Sequence, residues 1–136
     1  MSFPRYESYK GSGIEWLGEV PEHWEVRRLK YIANVYLSNV DKHTIDGQKA
    51  VNLCNYVDVY KNDRITSEID FMRATASDEQ IERLSLQKED IIITKDSEDP
   101  SDIGVPALME ENIPELVCGY HLAIVRPVSY THLTLP

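Results

Sequence analysis

A chain of 136 residues is long enough for one domain that buries roughly two thirds of its unfolded surface, and 42% hydrophobic with 27% charged content is ordinary for a globular protein. No apolar run approaches the roughly 20 residues that cross a bilayer, and the opening MSFPRYESYK lacks the apolar segment of a secretory signal. The expectation is a cytoplasmic protein without membrane contact, with Cys54 and Cys118 reduced and packed as small hydrophobes. A net charge of −9 opposes nucleic-acid binding at first sight, because Lys and Arg supply most of the affinity for phosphate. Yet the acidity is local. Residues 78–115 carry 12 acidic and 3 basic side chains, whereas residues 1–77 carry 11 and 10. Between Trp24 and Arg64 the balance reverses to 7 basic against 5 acidic, which permits a basic face.

In chain order, residues 1–8 are polar and expected to be a flexible N-terminal tail. Tyr9 to Lys30 is interrupted by Gly11, Gly13, Gly18 and Pro21, too broken for a long helix. It reads as a lead-in pinned to the core by Trp16 and Trp24. Leu29, Ile32 and Ala33 suggest one helical turn before a strand at Val35–Leu37, and Asn39–Gln48 is a polar loop. From Ala50 to Tyr60, Val51 and Leu53, then Val57 and Val59, alternate with polar residues, predicting a strand with an irregularity near Asn55. Lys61 to Arg64 make a turn, and Ile65–Phe71 is read as extended. Ser77 with Gln80 three residues on forms a capping box, so a short helix starts there and ends near Leu86.

After a turn at Gln87–Asp90, the β-branched run Ile91, Ile92, Ile93 reads as the central strand, buried on both faces. A polar loop from Lys95 to Asp102 closes at Gly104, and Val105–Met109 and Leu116–Val125 are the closing strands. The fold class expected is mixed α+β (α/β): a twisted, mostly antiparallel β-sheet with one or two short helices.

The loop after the central strand presents Asp96, Glu98, Asp99 and Asp102, the oxygen ligands that Mg²⁺ or Ca²⁺ prefers. A metal-dependent nuclease is one reading, although the spacing is not that of an EF-hand. A solvated acidic loop, with Asp96 or Asp102 capping the turn, is the plainer one. Cys118 and His121 have Cys-x-x-His spacing without a complementary pair, so no metal site is expected. His23 and His121 read as packed or hydrogen-bonded histidines at the core edge. An acidic protein-interaction domain, meeting a basic partner through residues 78–115, is a further alternative.

The segment GIEWLGEVPEHWEVRRLK, followed by VNLCNYVDVYKN (Val51–Asn62), IIITKDSEDPSDIGVPAL (Ile91–Leu108) and LVCGYHLAIVRP (Leu116–Pro127), resembles the target-recognition domain in specificity subunits of type I restriction-modification enzymes. In that family a Gly-Glu-[Ile/Val]-Pro-x-x-Trp turn leads into the first strand, and the blocks follow in this order. One departure is Glu89, where members often carry Gly. The resemblance spans residues 9–127. It implies a non-catalytic subunit that binds one half of a split double-stranded DNA target in phage defence. The methyltransferase (modification) subunits bring S-adenosylmethionine chemistry, and the restriction/translocase subunit brings ATP and Mg²⁺; no cofactor is expected in this chain. A whole specificity subunit has two such domains joined by spacer helices, so an incomplete, N-terminal fragment is expected. Residues 128–136, VSYTHLTLP, fall outside the pattern and are expected to be a non-native tail.

The resemblance transfers no individual DNA contact. Residue chemistry nominates Asn52, Asn55, Tyr56, Lys61, Asn62 and Arg64 on one strand and its following turn, Lys42 and His43 on the preceding loop, and Lys95 with Ser97 after the central strand. Asn pairs with adenine, Arg and Lys with guanine or phosphate, and Tyr with phosphate or by stacking. Singly, Asn52 and Asn55 are as readily explained as partners of backbone groups at an irregularity.

Overall fold

The structure, a computed structural model, describes residues 5–128. Tyr9–Gly11 (β1) and Glu19–Pro21 (β2) form an antiparallel pair, and a single 3₁₀ turn at Leu29–Tyr31 delivers the chain to Ala33–Leu37 (β3). Then follow Lys49–Cys54 (β4), helix Tyr56–Lys61 (α1), Arg64–Ile65 (β5), Met72–Ala76 (β6) and helix Asp78–Leu84 (α2). Ile91–Thr94 (β7), Pro106–Met109 (β8), Leu116–Cys118 (β9) and Leu122–Pro127 (β10) complete the described chain.

The fold is mixed α+β, with its strands divided among three sheets. A five-stranded sheet has the order β3-β10-β7-β8-β5, and a three-stranded sheet has the order β6-β4-β9. Most pairings are antiparallel; β4 with β9 and β5 with β8 are parallel. The isoleucine strand β7 is the middle strand of the larger sheet, as its β-branched run predicts. Its two faces differ. Ile92 and Thr94 are fully buried, whereas Ile91 and Ile93 are half-buried. The expectation of burial on both faces therefore holds for one face only.

The core draws Ile92, Ile124, Met109 and Ile65 from the larger sheet and Val51, Leu53, Leu116 and Val117 from the smaller one. Val59 of α1 and Leu84 of α2 join it. Each such side chain contributes about 1.5–3 kcal/mol on burial. Cys54 and Cys118 are neighbours in the parallel β4/β9 register and both are buried. Burial raises the Cys54 thiol well above its ordinary range and pushes that of Cys118 up to about 12.

One buried carboxylate ties the elements together. Asp90, immediately before β7, accepts from Arg126 Nε at 2.8 Å and Arg126 Nη2 at 2.9 Å, and from the Gln87 N–H at 2.8 Å. The same guanidinium donates to the Ser85 carbonyl at the end of α2, at 3.0 Å, and lies over the Tyr36 ring of β3. Asp90 is 1% exposed, and these donors take the place of water around its carboxylate oxygens.

Several expectations change. Tyr56–Lys61 is helix, although Val57 and Val59 alternate like a strand. Asn55 stands at the N-cap, and its N–H donates to Asp58 Oδ2 at 2.9 Å, the reaching-back half of a capping box. Residues 65–71 are extended only at Ile65, and a strand the periodicity does not signal, β6, follows. Leu116–Val125 is split by the Gly119–His121 turn into strands of two different sheets. Trp16 is 84% and Trp24 48% exposed, so neither pins the lead-in to the core; Val20 and Pro21 are its buried residues. Trp24 instead meets Tyr6 edge-on, at 5.8 Å between ring centroids. Tyr6 belongs to the expected tail, and Met1–Pro4 lie outside the described residues.

Helix α2 begins at Ser77 as predicted, with both capping-box bonds present, and ends two residues early, at Leu84. The turn at Gln87–Asp90 holds Glu89 at φ 77°, a left-handed conformation that favours glycine. Of the segment expected to be foreign, Val128 donates its N–H to Ile32 at 3.0 Å, and residues 129–136 lie outside the described region. No helix among the described residues is long and apolar enough to cross a membrane.

Candidate nucleic-acid interface

Three chain connections leave one end of the two larger sheets together. Strands β4 and β9 run parallel and finish side by side at Cys54 and Cys118. The Gly119 N–H donates to the Cys54 carbonyl at 2.9 Å, and a Cβ on Gly119 would lie 2.5 Å from that oxygen. Only glycine permits so close an approach. From there the chain turns through Tyr120 and His121 into β10, whose Leu122 pairs with Thr94, the last residue of β7. The Lys95 N–H donates to the His121 carbonyl at 3.0 Å. The start of α1, the Tyr120–His121 turn and the Lys95–Gly104 loop are thus adjacent.

The side chains exposed there are aromatic and charged. Tyr56 and Tyr60, one helical turn apart on α1, stack with ring centroids 5.6 Å apart and planes within 13°. Asp102 lies close enough to Tyr60 to hold its phenol above the usual range. Lys95 Nζ lies 4.9 Å from the centre of the Tyr120 ring and donates to Asp96 Oδ2 at 2.8 Å. His121 Nδ1 approaches the same oxygen at 3.5 Å and its ring packs edge-on against Tyr120. His121 is therefore half-exposed beside a carboxylate.

The loop that follows β7 is shaped by its own polar groups. Asp99 Oδ1 accepts from the Ser101 N–H at 3.0 Å and from its hydroxyl at 2.8 Å, capping a 3₁₀ turn that Pro100 opens. These donors hold the Asp99 carboxyl below its ordinary range. The cap is thus Asp99, where Asp96 or Asp102 was expected. Asp102 serves through its carbonyl, which accepts from the buried Thr94 hydroxyl. Among the described residues, no three His, Cys, Asp or Glu side chains come together in an arrangement that could hold a metal ion.

Of the residues nominated from sequence, the fold brings Asn55, Tyr56, Lys95 and Ser97 to this end. Asn55 is committed to the start of α1, and Ser97 Oγ accepts from the Asp99 N–H at 3.2 Å. Lys61 is exposed at the end of α1 and forms no ion pair among the described residues, while Asn62 Nδ2 closes the helix on the Asp58 carbonyl at 2.8 Å. Arg64 lies farther away: β5 pairs it with Leu108, opposite Ile91 at the start of β7, and Glu110 binds its guanidinium at 2.9 Å.

Asn52 faces outward in mid-β4, where its Oδ1 accepts from Arg73 at 3.0 Å. Lys42 and His43 lie at the far end of β4. The His43 carbonyl accepts from Thr75, which pairs with Ala50, and the His43 ring approaches Asp41 at 3.3 Å. The nominated set is therefore not one surface. Tyr60, Tyr120 and His121 were missed as contact candidates. The Tyr56/Tyr60 stack has a sequence signal, an i, i+4 aromatic pair, that is visible only once the segment is recognised as helix.

No protein-family model matches the chain, and no curated protein matches it in sequence.

Proposed function

We propose that this chain is a DNA-recognition domain of the type I restriction-modification specificity class. On this reading it binds one half of a split duplex target in the cytoplasm and directs partner methyltransferase and translocase subunits without catalysing a step itself. The sequence resemblance over residues 9–127 motivates the reading. The observation that carries it on this chain is the adjacency of the Tyr56/Tyr60 stack, Lys95, Tyr120 and His121 at the ends of three strands. Aromatic faces and cations on rigid supports suit contacts to bases and backbone. Glu89 adds a smaller support: the position where the family often has Gly is held at positive φ in this chain.

Electrostatics sets what such a surface can do. Asp96 and Glu110 neutralise Lys95 and Arg64, so general affinity for DNA is modest, and Lys61 is the cation best placed to add to it. The purified chain is expected to retain duplex at low ionic strength, to lose it steeply as salt rises, and to bind more weakly as Lys61→Ala. Selection from a random duplex pool is expected to enrich one short half-site. A folded chain that retains no duplex at low salt would refute the proposal.

A further inference from the structure

We infer that Asp96 stands in for a DNA phosphate, filling an anion site that Lys95 and His121 already form. The inference rests on the DNA-recognition reading and names the contact through which that surface meets the backbone. The geometry is convergent. Lys95 Nζ and His121 Nδ1, from two different connections, both aim at one oxygen, Asp96 Oδ2, at 2.8 and 3.5 Å.

The donors are held in place independently of Asp96. The Lys95 N–H is fixed to the His121 carbonyl, its side chain is only 21% exposed, and its ammonium lies over Tyr120. Asp96 itself is half-exposed on a loop whose shape depends on Thr94, Asp99 and Ser101 rather than on it. It can therefore swing out while Lys95 and His121 remain in place. Lys95, and then His121, hold its carboxyl below the ordinary range.

An incoming phosphate oxygen would find two preset donors once this carboxylate leaves. Glu98, Asp99 and Asp102 on the same loop set a negative surround, so an anion enters only where other contacts with the duplex hold it. Asp96 thus suppresses unspecific attachment to phosphate backbones, at the expense of affinity.

The test uses the full chain with two probes: duplex DNA, followed by fluorescence anisotropy through a salt series, and inorganic phosphate, followed through the His121 ring resonances. Asp96→Asn is expected to tighten duplex binding roughly threefold to tenfold at low salt, the scale of one unit-charge interaction at about 4 Å in water. The slope of log affinity against log salt should steepen by about one phosphate. Phosphate should shift the His121 resonances at lower concentration than in the parent.

Adding Lys95→Ala to Asp96→Asn is expected to remove both gains, and Asp96→Ala, which introduces no amide, should reproduce them. If the variant takes up phosphate while neither chain binds duplex, the anion site stands and the DNA reading falls. Equal duplex affinity and slope in both chains would leave the DNA reading standing and overturn the role of Asp96. A folded variant that gains neither probe overturns it as well.

Discussion

Replacing Arg126 by Met leaves the Asp90 carboxylate 1% exposed and without its guanidinium. Asp90 then keeps the Gln87 N–H as its remaining donor, and the Ser85 carbonyl loses the Arg126 bond. Removing one partner of a buried ion pair costs about 3–5 kcal/mol, a large share of the roughly 5–15 kcal/mol that holds a domain folded. In a chain of this size that corresponds to a fall in Tm of roughly 10–20 °C.

Urea unfolding at neutral pH, followed by tryptophan fluorescence and by circular dichroism, measures the loss. The companion double variant, Arg126→Met with Asp90→Leu, removes the stranded charge and is expected to recover part of it. The residual deficit is about 1–3 kcal/mol, the scale of leaving a buried backbone group unpaired. A single variant within about 1 kcal/mol of the parent would refute the view that this pair clamps α2, β7 and β10 together.

Three other expectations follow from local geometry. Burial raises the Asp58 carboxyl despite the opposing bond from the Asn55 N–H, so the folded chain holds this proton more tightly than the unfolded one. Stability therefore falls as pH rises from the ordinary aspartate value of 3.8 through the raised one; Asp58→Asn, which keeps an acceptor, should flatten that part of the urea-midpoint profile, and an unchanged profile would count against it. Gly119→Ala should cost at least about 1–3 kcal/mol, since the new methyl meets the Cys54 carbonyl oxygen at 2.5 Å; thermal unfolding reads this directly. Glu89→Gly should stabilise by up to about 1 kcal/mol by relieving φ 77°, seen as a higher urea midpoint with unchanged slope.

What could be read in the sequence was what neighbours along the chain decide. The α2 start is fixed by Ser77 and Gln80, three residues apart, and the β7 strand by its own isoleucines. At α1 two local signals compete. The Val57/Val59 alternation says strand, the Asn55/Asp58 spacing says helix, and the capping bond together with burial of Val59 decides for helix. Strand β6 carries Ala74 and Ala76, whose small buried side chains suit close packing against β4 but have little strand propensity.

The candidate site was legible only in pieces, because its assembly depends on the parallel β4/β9 pairing. That register sends Asn55 and Tyr120 to one end and leaves Lys42 and His43 at the other. Nothing within a short window encodes it. The tryptophans mislead for a different reason: a large ring contributes to burial only if some surface closes over it, and over Trp16 none of the described chain does.

The two buried thiols have a practical consequence for chemistry at the bench. A thiol reacts with maleimides and iodoacetamides as its thiolate, and burial keeps both Cys54 and Cys118 protonated and out of reach. A cysteine introduced at the exposed Lys61 position should then be the fast-reacting group in the folded chain. Dyes or cross-linkers can be set beside the tyrosine stack without first stripping the core of its sulfur, and slow labelling of the parent chain becomes a direct gauge of how often that core opens.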